Sequence, residues 1–340
     1  MNILIDYPSA AQYWLFRHDS KNDTKIRTQQ IRYVSSFDES AVFISEKYGF
    51  DIPIHTSVLN KAHRNQGQLF ATHFMAGCLP KNSFIQLERN IAVASPELCF
   101  LRASNILSFP ALVVFACDLC ASYSRSASDP FGQHSRLPVT SVAKIMAFLE
   151  NVKNVKGIKT ARTAIKYVLE NSNSPMESKL AAISQLPISR GGFRLLKPDL
   201  NARVHLSESG KSLVKRDSLY CDMVWEEQKV VVEYDSNLSH LSKRQHFYDK
   251  QRITALNLSG YTVICITAEN LRNFRSIEEI FYLIRSKLQM RSYSKEFEKT
   301  FDIRYSTVKD VFFSGNDLFL PANWKLPFMQ KNDASDQIMR

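Results

Sequence analysis

The sequence has no long hydrophobic run. Its most apolar segment is FPALVVFACDLCA, which Pro110 and Asp118 interrupt, whereas a helix that spans a bilayer needs about 20 apolar residues. The first residues, MNILIDYPSAAQYWLF, have no basic region and place Asp6 inside an apolar stretch, so they do not resemble a secretory signal. We therefore expect a cytoplasmic protein without a membrane partner.

Cysteine is scarce and follows no framework of disulfides or zinc ligands. The chain has 6 cysteines in 340 residues, and a chain of this length does not need covalent staples, so reduced thiols are expected. Cys117 and Cys120 form a CxxC, but no second Cys or His pair lies at zinc spacing. The pattern favours two buried small residues that lie one helical turn apart.

Glycine and proline show no excess, and acidic residues are outnumbered. With 10 Gly and 12 Pro, the composition is that of a globular protein, and the length favours two domains. The 44 Lys and Arg against 33 Asp and Glu give a net charge of +11. Such a charge favours a polyanionic partner, although a solvated basic surface without a partner explains it equally well.

Composition suggests how the chain is divided. Residues 1–135 are predicted to form a mixed, partly helical N-terminal domain of uncertain role. The segment SYSRSASDPFGQHSRLP has the Ser, Pro and Gly content of a loop, and we expect the main linker near it. Residues 136–173 form a predicted helical connector, residues 174–290 a second domain, and residues 291–340 a C-terminal extension.

The second domain has a clear order of elements. Ser174, Pro175 and Glu177 predict a helix start with a capping box. The strands NARVHL, DSLYCDMVW and KVVVEYDS follow, then a long helix ending before Gly260, the strand YTVICIT, and a helix with a second capping box from Ser276 and Glu279. This order predicts an α/β (α+β) domain with a mixed central sheet flanked by helices.

Three acids converge on the predicted hairpin. If Glu227 and Gln228 form its two-residue loop, Asp222 lies directly across from Glu233, with the Cβ atoms about 4.5–5.5 Å apart. Strand alternation places Asp235 on the same face. Opposed like charges are destabilising unless a hard divalent cation compensates them.

A solvent-facing hairpin with scattered acids is the structural alternative. The run VVV directly before Glu233 argues against it, because such a run indicates a strand that is covered on both faces.

These residues carry a resemblance to a known family. Asp222-x-x-Trp225, VVVEYDS, His240, Asp249-x-x-Arg252 and Gly260 before a closing apolar strand resemble the Vsr-like branch of the PD-(D/E)xK nuclease superfamily, including uncharacterised bacterial endonuclease-like domains. The resemblance covers residues 174–288. It implies a restriction-endonuclease-like fold and DNA as the partner. It also implies Mg²⁺ or Mn²⁺ held by Asp222, Glu233, Asp235 and Glu177.

The sequence departs from the superfamily at the general base. Asp235 stands where the superfamily has the lysine that activates water, so His240 is the candidate base or phosphate-positioning group. Lys243 or Lys250 on the following helix could replace the lysine instead. Glu177 is explained equally well as a capping residue and as a metal ligand.

Other residues have supporting roles. Asp249 and Arg252 lie three apart on one helix face and predict an ion pair that supports the site. A second group is expected to support the site or to contact DNA: Asp249, Arg252, Lys243, Arg244 and Lys250.

Two function classes remain open beside a Mg-dependent endonuclease. The missing lysine favours a catalytically inactive nuclease fold that binds DNA or regulates, and the basic charge also allows an RNA-binding protein. The N-terminal region resembles those of bacterial abortive-infection or toxin–antitoxin regulators, which implies a role in phage defence and a protein or DNA partner for it. The oligomeric state stays open.

Overall fold

The structure is a computed structural model that describes residues 3–17, 38–58, 60–61, 64, 67–75, 77–88, 90–126, 133–235 and 243–312. The described chain divides into two compact units, the first extending to Glu170 and the second beginning at Asn171. Most of the segment expected as a connector thus belongs to the first unit. In the described residues, no helix is both long and apolar enough to cross a membrane.

The first unit is built on a mixed sheet with the strand order β3-β2-β1-β5-β4. β1 pairs antiparallel with β2 and parallel with β5, and β2 pairs parallel with β3. The strands are β1 Ile3–Ile5, β2 Ile54–Val58, β3 Phe70–Phe74, β4 Phe84–Glu88 and β5 Ile91–Ala94. The helices are α1 Tyr7–Phe16, α2 Asp38–Tyr48, α3 Pro96–Ala103, α4 Phe109–Leu119, α5 Val142–Glu150 and α6 Ile158–Ala164.

Local sequence explains several of these elements. Ser95 caps α3 by accepting a hydrogen bond from the Leu98 N–H at 3.2 Å, with Pro96 at the first helical position. Cys117 and Cys120 are buried one helical turn apart at the end of α4, as the CxxC spacing predicts, and all six cysteines are free.

The segment expected to be the main linker contains a pair of short strands. β6 (Tyr123–Arg125) pairs antiparallel with β7 (Gln133–Ser135), and both lie in the first unit. The division between the units lies further along the chain, after the helices α5 and α6.

The second unit is a mixed four-stranded sheet with helices beside it, in the order β11-β10-β9-β8. β8, β9 and β10 are antiparallel neighbours, and β11 runs parallel to β10. Its strands are β8 Asp199–His205, β9 Ser218–Trp225, β10 Val230–Asp235 and β11 Thr262–Thr267. Its helices are α7 Pro175–Gln185, α8 Glu208–Val214, α9 Lys243–Leu258, α10 Ala268–Leu271, α11 Phe274–Lys287, α12 Lys295–Glu298 and α13 Phe301–Phe312. The predicted mixed sheet flanked by helices is confirmed.

Helix ends confirm some predictions and correct others. Ser174 caps α7 through the Glu177 N–H at 3.2 Å, and Gly260 follows α9 with a φ of +85°, both as expected. The Glu177 side chain accepts from the Asn173 N–H, one residue before the Ser174 N–H that the predicted capping box would use. The capping box predicted at Ser276 is wrong, because α11 begins earlier with Asn273 as its cap. The Asn273 side chain accepts the hydrogen bond from the Ser276 N–H, which places Ser276 inside the first turn.

The central strand of the second unit is covered on both faces. Val230, Val231 and Val232 are each at most 1 % exposed, which confirms the interpretation of the valine run. Val231 packs in a cluster with Ala255 and Leu256 of α9. The acids that follow the valines are therefore fixed to a rigid element.

Candidate carboxylate site

The predicted register of the hairpin is confirmed. Val230 pairs with Trp225 and Val232 pairs with Met223, so the next position along the two strands sets Glu233 opposite Asp222. β8 continues the row, because its pairs Leu200–Met223 and Ala202–Cys221 place Asn201 opposite Asp222. On the other side, Glu233 pairs with Cys265 of β11.

Side chains replace the regular hydrogen bonds of the ladder at this row. The Tyr234 N–H donates to Oδ2 of Asp222 at 2.8 Å, and the Asp222 N–H lies 3.4 Å from Oε2 of Glu233. Both acids are half-buried. The hairpin thus holds the two carboxyl groups in fixed positions.

Arg252 of α9 binds Glu233 from the neighbouring helix. Its Nη2 lies 3.1 Å from Oε1 of Glu233 and donates to the carbonyl oxygen of Tyr220 at 3.0 Å. The ion pair predicted between Arg252 and Asp249 is wrong, since the sheet presents a carboxylate and a carbonyl that fix the guanidinium more firmly. Arg252 therefore supports the site directly.

Glu177 reaches the same row from the start of α7. It is only 7 % exposed, and its Oε2 accepts hydrogen bonds from the Asn173 N–H and from Nδ2 of Asn201, each at 2.7 Å. Burial and the nearby charge of Asp222 raise the pKa of Glu177. Glu177 is thus both a residue of the helix start and a neighbour of the acids.

The pKa of Asp222 is strongly raised in this position. Burial, the negative charge of Glu233 and a hydrogen bond between the carboxyl groups raise the pKa of Asp222 to about 7, against the opposing effects of the Tyr234 N–H and Arg252. Asp222 therefore carries a proton for part of the time at neutral pH.

The remaining predicted residues are placed as follows. Asp235 is half-buried at the end of β10, paired with Thr267. Besides burial, the charges of Glu233, Asp235 and Asp222 raise the pKa of the Cys265 thiol, so all three acids lie within electrostatic reach of one strand position.

The other predicted site residues lie on α9 or in the segment before it. Asp249 is half-buried and Lys250 is exposed on α9. Lys243 and Arg244 begin α9, and their side chains are not among those described. His240 lies outside the described residues.

Sequence reasoning missed Asn201. Its φ of +49° lies in the left-handed region, and its Nδ2 also donates to the carbonyl oxygen of Asn171 at 2.8 Å. An Asn inside a predicted strand is the local feature that points to it, because Asn tolerates this conformation better than other residues.

A divalent cation can be tested against the side chains present. Among the described residues, no three or more His, Cys, Asp or Glu side chains form a group that could hold a metal ion. Mg²⁺ often uses one or two carboxylates and keeps several water ligands, so Asp222 and Glu233 are the side chains that would hold such an ion here. A cation would also relieve the repulsion that raises the pKa of Asp222.

Comparisons with protein-family models, with curated proteins and with solved structures find no match to this chain.

Proposed function

We propose that the second unit is a metal-dependent endodeoxyribonuclease with a restriction-endonuclease-like fold. The observation that carries the proposal is the opposed pair Asp222–Glu233, whose mutual repulsion and burial raise the pKa of Asp222 to about 7. A strongly perturbed carboxyl pair on a rigid sheet is typical of functional sites. Ion pairs that only stabilise a fold join opposite charges, so they do not explain why two acidic side chains lie directly opposite each other.

The architecture supports the same assignment. The order α7, three antiparallel strands, α9 and the parallel strand β11 gives the mixed sheet flanked by helices that the family resemblance implies. Asp222 lies on β9 and Glu233 on the neighbouring strand β10, so the sheet fixes the distance between the two carboxyl groups.

The proposed metal is Mg²⁺ or Mn²⁺, which Asp222 and Glu233 would hold together with water ligands. The resemblance implies Asp235 and Glu177 as further ligands, but in the described structure they form no group of three or more with these acids that could hold a metal ion. Such a cation lowers the pKa of bound water and stabilises charge on the phosphate that is attacked. Arg252 holds Glu233 through Oε1, which orients the carboxylate. His240 remains the proposed base or phosphate-positioning residue.

Surface features beside the pair suit a nucleic acid. Tyr220 on β9 is 64 % exposed, and Phe247 and Tyr248 on α9 are 59 % and 47 % exposed. Exposed aromatic rings can stack on bases, and Lys250 on the same helix can contact phosphate. The net charge of +11 would add an attraction to DNA that weakens with salt.

The second candidate function is a nuclease fold that binds DNA or regulates without cutting. Two observations favour it: Asp235 occupies the position of the family's lysine, and Arg252 already neutralises one oxygen of Glu233. An arginine in that position lowers the demand for a cation. Metal binding and cleavage separate the two functions.

The test is cleavage of supercoiled plasmid and single-stranded DNA with Mg²⁺, Mn²⁺ or EDTA. Wild type is compared with Asp222→Asn and Glu233→Gln. Glu227→Gln is the matched control, because Glu227 is an exposed acid in the loop of the same hairpin. Calorimetric titration with each metal is run on the same four proteins.

The nuclease requires metal-dependent cutting that both site variants lose and the control keeps, with a loss of about 100-fold or more. If wild type binds metal and DNA but does not cut DNA, the second candidate function, a nuclease fold that binds DNA or regulates without cutting, replaces the proposed nuclease activity. If wild type binds no metal and cuts no DNA, the proposed catalytic site is wrong.

A further inference from the structure

A second polar cluster lies in the first unit, where β1 ends. Asp6 is fully buried and accepts three hydrogen bonds: from Nε of Arg102 at 3.1 Å, from Oγ of Ser57 at 2.5 Å and from the Tyr7 N–H at 2.7 Å. These donors satisfy the Asp6 carboxylate. It therefore has little capacity left for a cation or a ligand.

Arg102 is not satisfied in the same way. Its side chain is 7 % exposed, and its Nη2 is buried without a hydrogen-bond partner in the part of the chain that the structure describes. Leaving a buried donor unpaired is destabilising, and more so for a charged group. A buried guanidinium with one free edge indicates a place for an acceptor from outside the chain.

Aromatic and imidazole groups continue the cluster from Arg102. The guanidinium lies 5.1 Å from the centre of the Tyr7 ring, and that ring stacks on His73 at 4.0 Å. Nε2 of His73 lies 2.8 Å from Nδ1 of His55. These three ring side chains are half-buried, so the cluster extends from the core to the surface. We call Asp6, Tyr7, His55, His73 and Arg102 the Arg102 cluster.

The two imidazoles of the cluster can respond to a bound anion. Burial lowers the pKa of both His55 and His73, and the charges of Arg64 and Arg102 lower that of His73 further, against the opposing charge of Asp6. The imidazoles are therefore neutral at pH 7 and can gain charge when an anion arrives. Burial raises the pKa of Tyr7, which keeps its hydroxyl as a donor.

The backbone at this point is also strained. Tyr7 has a φ of +53°, which is a rare conformation for a bulky residue, and Pro8 follows it. Such strain is destabilising and persists where the surrounding structure requires it, often at ligand sites. The strained residue is the one whose ring contacts both Arg102 and His73.

We infer that the Arg102 cluster binds the phosphate group of a phosphomonoester. A phosphomonoester offers three strong acceptor oxygens and about −1.5 to −2 charges at pH 7. The unpaired Nη2 of Arg102 and the exposed Arg64 supply matching donors, and arginine is well suited to phosphate geometry. The two neutral imidazoles have one N–H left over from the bond between them, and each ring gains a further N–H when it takes up a proton. This site is separate from the carboxylate site and does not depend on the nuclease assignment.

The experiment is titration of the full chain with inorganic phosphate, followed by calorimetry and by the histidine side-chain resonances in NMR. We expect a dissociation constant of about 1 mM or tighter, and a rise in the pKa of His73 on binding, because an anion stabilises the imidazolium. Adenosine 5′-monophosphate and a 5′-phosphorylated oligonucleotide identify the source of the phosphate, with the unphosphorylated oligonucleotide as reference.

Variants make the assignment specific. Arg64→Met removes an exposed charge, and Arg102→Lys keeps the charge beside Asp6 while removing Nη2. Both should weaken binding by about 10-fold or more, the loss of one charge-assisted contact. Lys144→Met, which removes an exposed charge of α5, and Asp222→Asn should leave it unchanged.

Two outcomes overturn the inference. In the first, the His55 and His73 resonances do not move at roughly ten times the expected dissociation constant. In the second, Lys144→Met weakens binding as much as Arg64→Met does, which would mean general attraction to a basic surface. Because Arg64→Met removes only a surface side chain, the test does not depend on whether Arg102→Lys folds.

Discussion

The backbone N–H of Tyr234 donates to the side chain of Asp222, at 2.8 Å from Oδ2. This bond fixes the Asp222 carboxyl above the β9–β10 ladder, and it stabilises the charged form. This lowering of the pKa is smaller than the increase caused by burial and by the negative charge of Glu233, so the pKa of Asp222 still rises to about 7. The site therefore holds a carboxyl that titrates in the neutral range.

This titration predicts how stability depends on pH. Asp222 has a folded pKa of about 7 against a reference value of 3.8, so between about pH 4 and pH 7 the folded state binds more protons than the unfolded state. The contribution of Asp222 to the free energy of unfolding is therefore greatest below pH 4 and falls as the pH rises through 7. Asp222→Asn removes this dependence.

The measurement is urea denaturation of wild type and Asp222→Asn at several pH values, with the difference between the two proteins as the readout. Relative to wild type, the variant should gain stability from pH 4 to pH 8. Glu227→Gln serves as the control and should track wild type. A wild-type–variant difference that stays constant with pH would contradict the raised pKa.

Arg252→Met tests the ion pair across the site. Arg252 lowers the pKa of Asp222 and holds Glu233, so its loss should raise the pKa of Asp222 further. The pair is partly exposed, so we expect a loss of only about 1 kcal/mol in the free energy of unfolding. An NMR titration of the Asp222 carboxyl carbon measures the pKa directly.

Lys211→Met is the control for this experiment, because Lys211 forms an exposed pair with Glu208 on α8. It should leave the titration of Asp222 unchanged. Arg252→Lys should recover part of the pKa effect, since it restores the charge. An Asp222 pKa that is the same in wild type and Arg252→Met would show that the guanidinium does not act on the carboxyl pair.

Two substitutions of Asn201 separate the effect of its left-handed backbone from the effect of its side-chain hydrogen bond to Glu177. Asn201→Gly keeps the left-handed φ of +49° accessible but removes the hydrogen bond to Glu177. Asn201→Ala removes that bond and also strains the backbone, so it should be less stable than Asn201→Gly by about 1 kcal/mol.

Urea denaturation of both Asn201 variants gives this difference. In each variant the pKa of Glu177 should rise above its wild-type value, because a hydrogen bond that stabilises the carboxylate is lost. Equal stability of the two variants would mean that position 201 carries no conformational strain. Ala202→Gly, one residue further along the same strand, serves as the control for introducing a glycine.

Part of the carboxylate site could be predicted because its geometry is local. The two-residue turn at Glu227 and Gln228 fixes the register of the hairpin, and the register alone brings Glu233 opposite Asp222. The cap at Ser174 is equally local. The capping box predicted at Ser276 failed because Asn273 and Ser276 both have capping side chains, and packing around Phe274 chose the earlier one.

Sequence by itself thus determined the order of the four strands, the covered central strand and the opposed acids. It predicted the helices α7, α9 and α11 but not α8, which lies between β8 and β9, nor the short α10, nor α12 and α13 in the expected C-terminal extension. Tertiary structure decided that Arg252 meets Glu233 rather than Asp249, and that Asn201 and Glu177 join the row. It also brought Arg102 onto Asp6 across 96 residues of chain. Hydrophobic periodicity and turn sequences depend on residues that are close in the chain. Side-chain contacts between different helices and strands form only when the helices pack onto the sheet, so local sequence patterns do not reveal them.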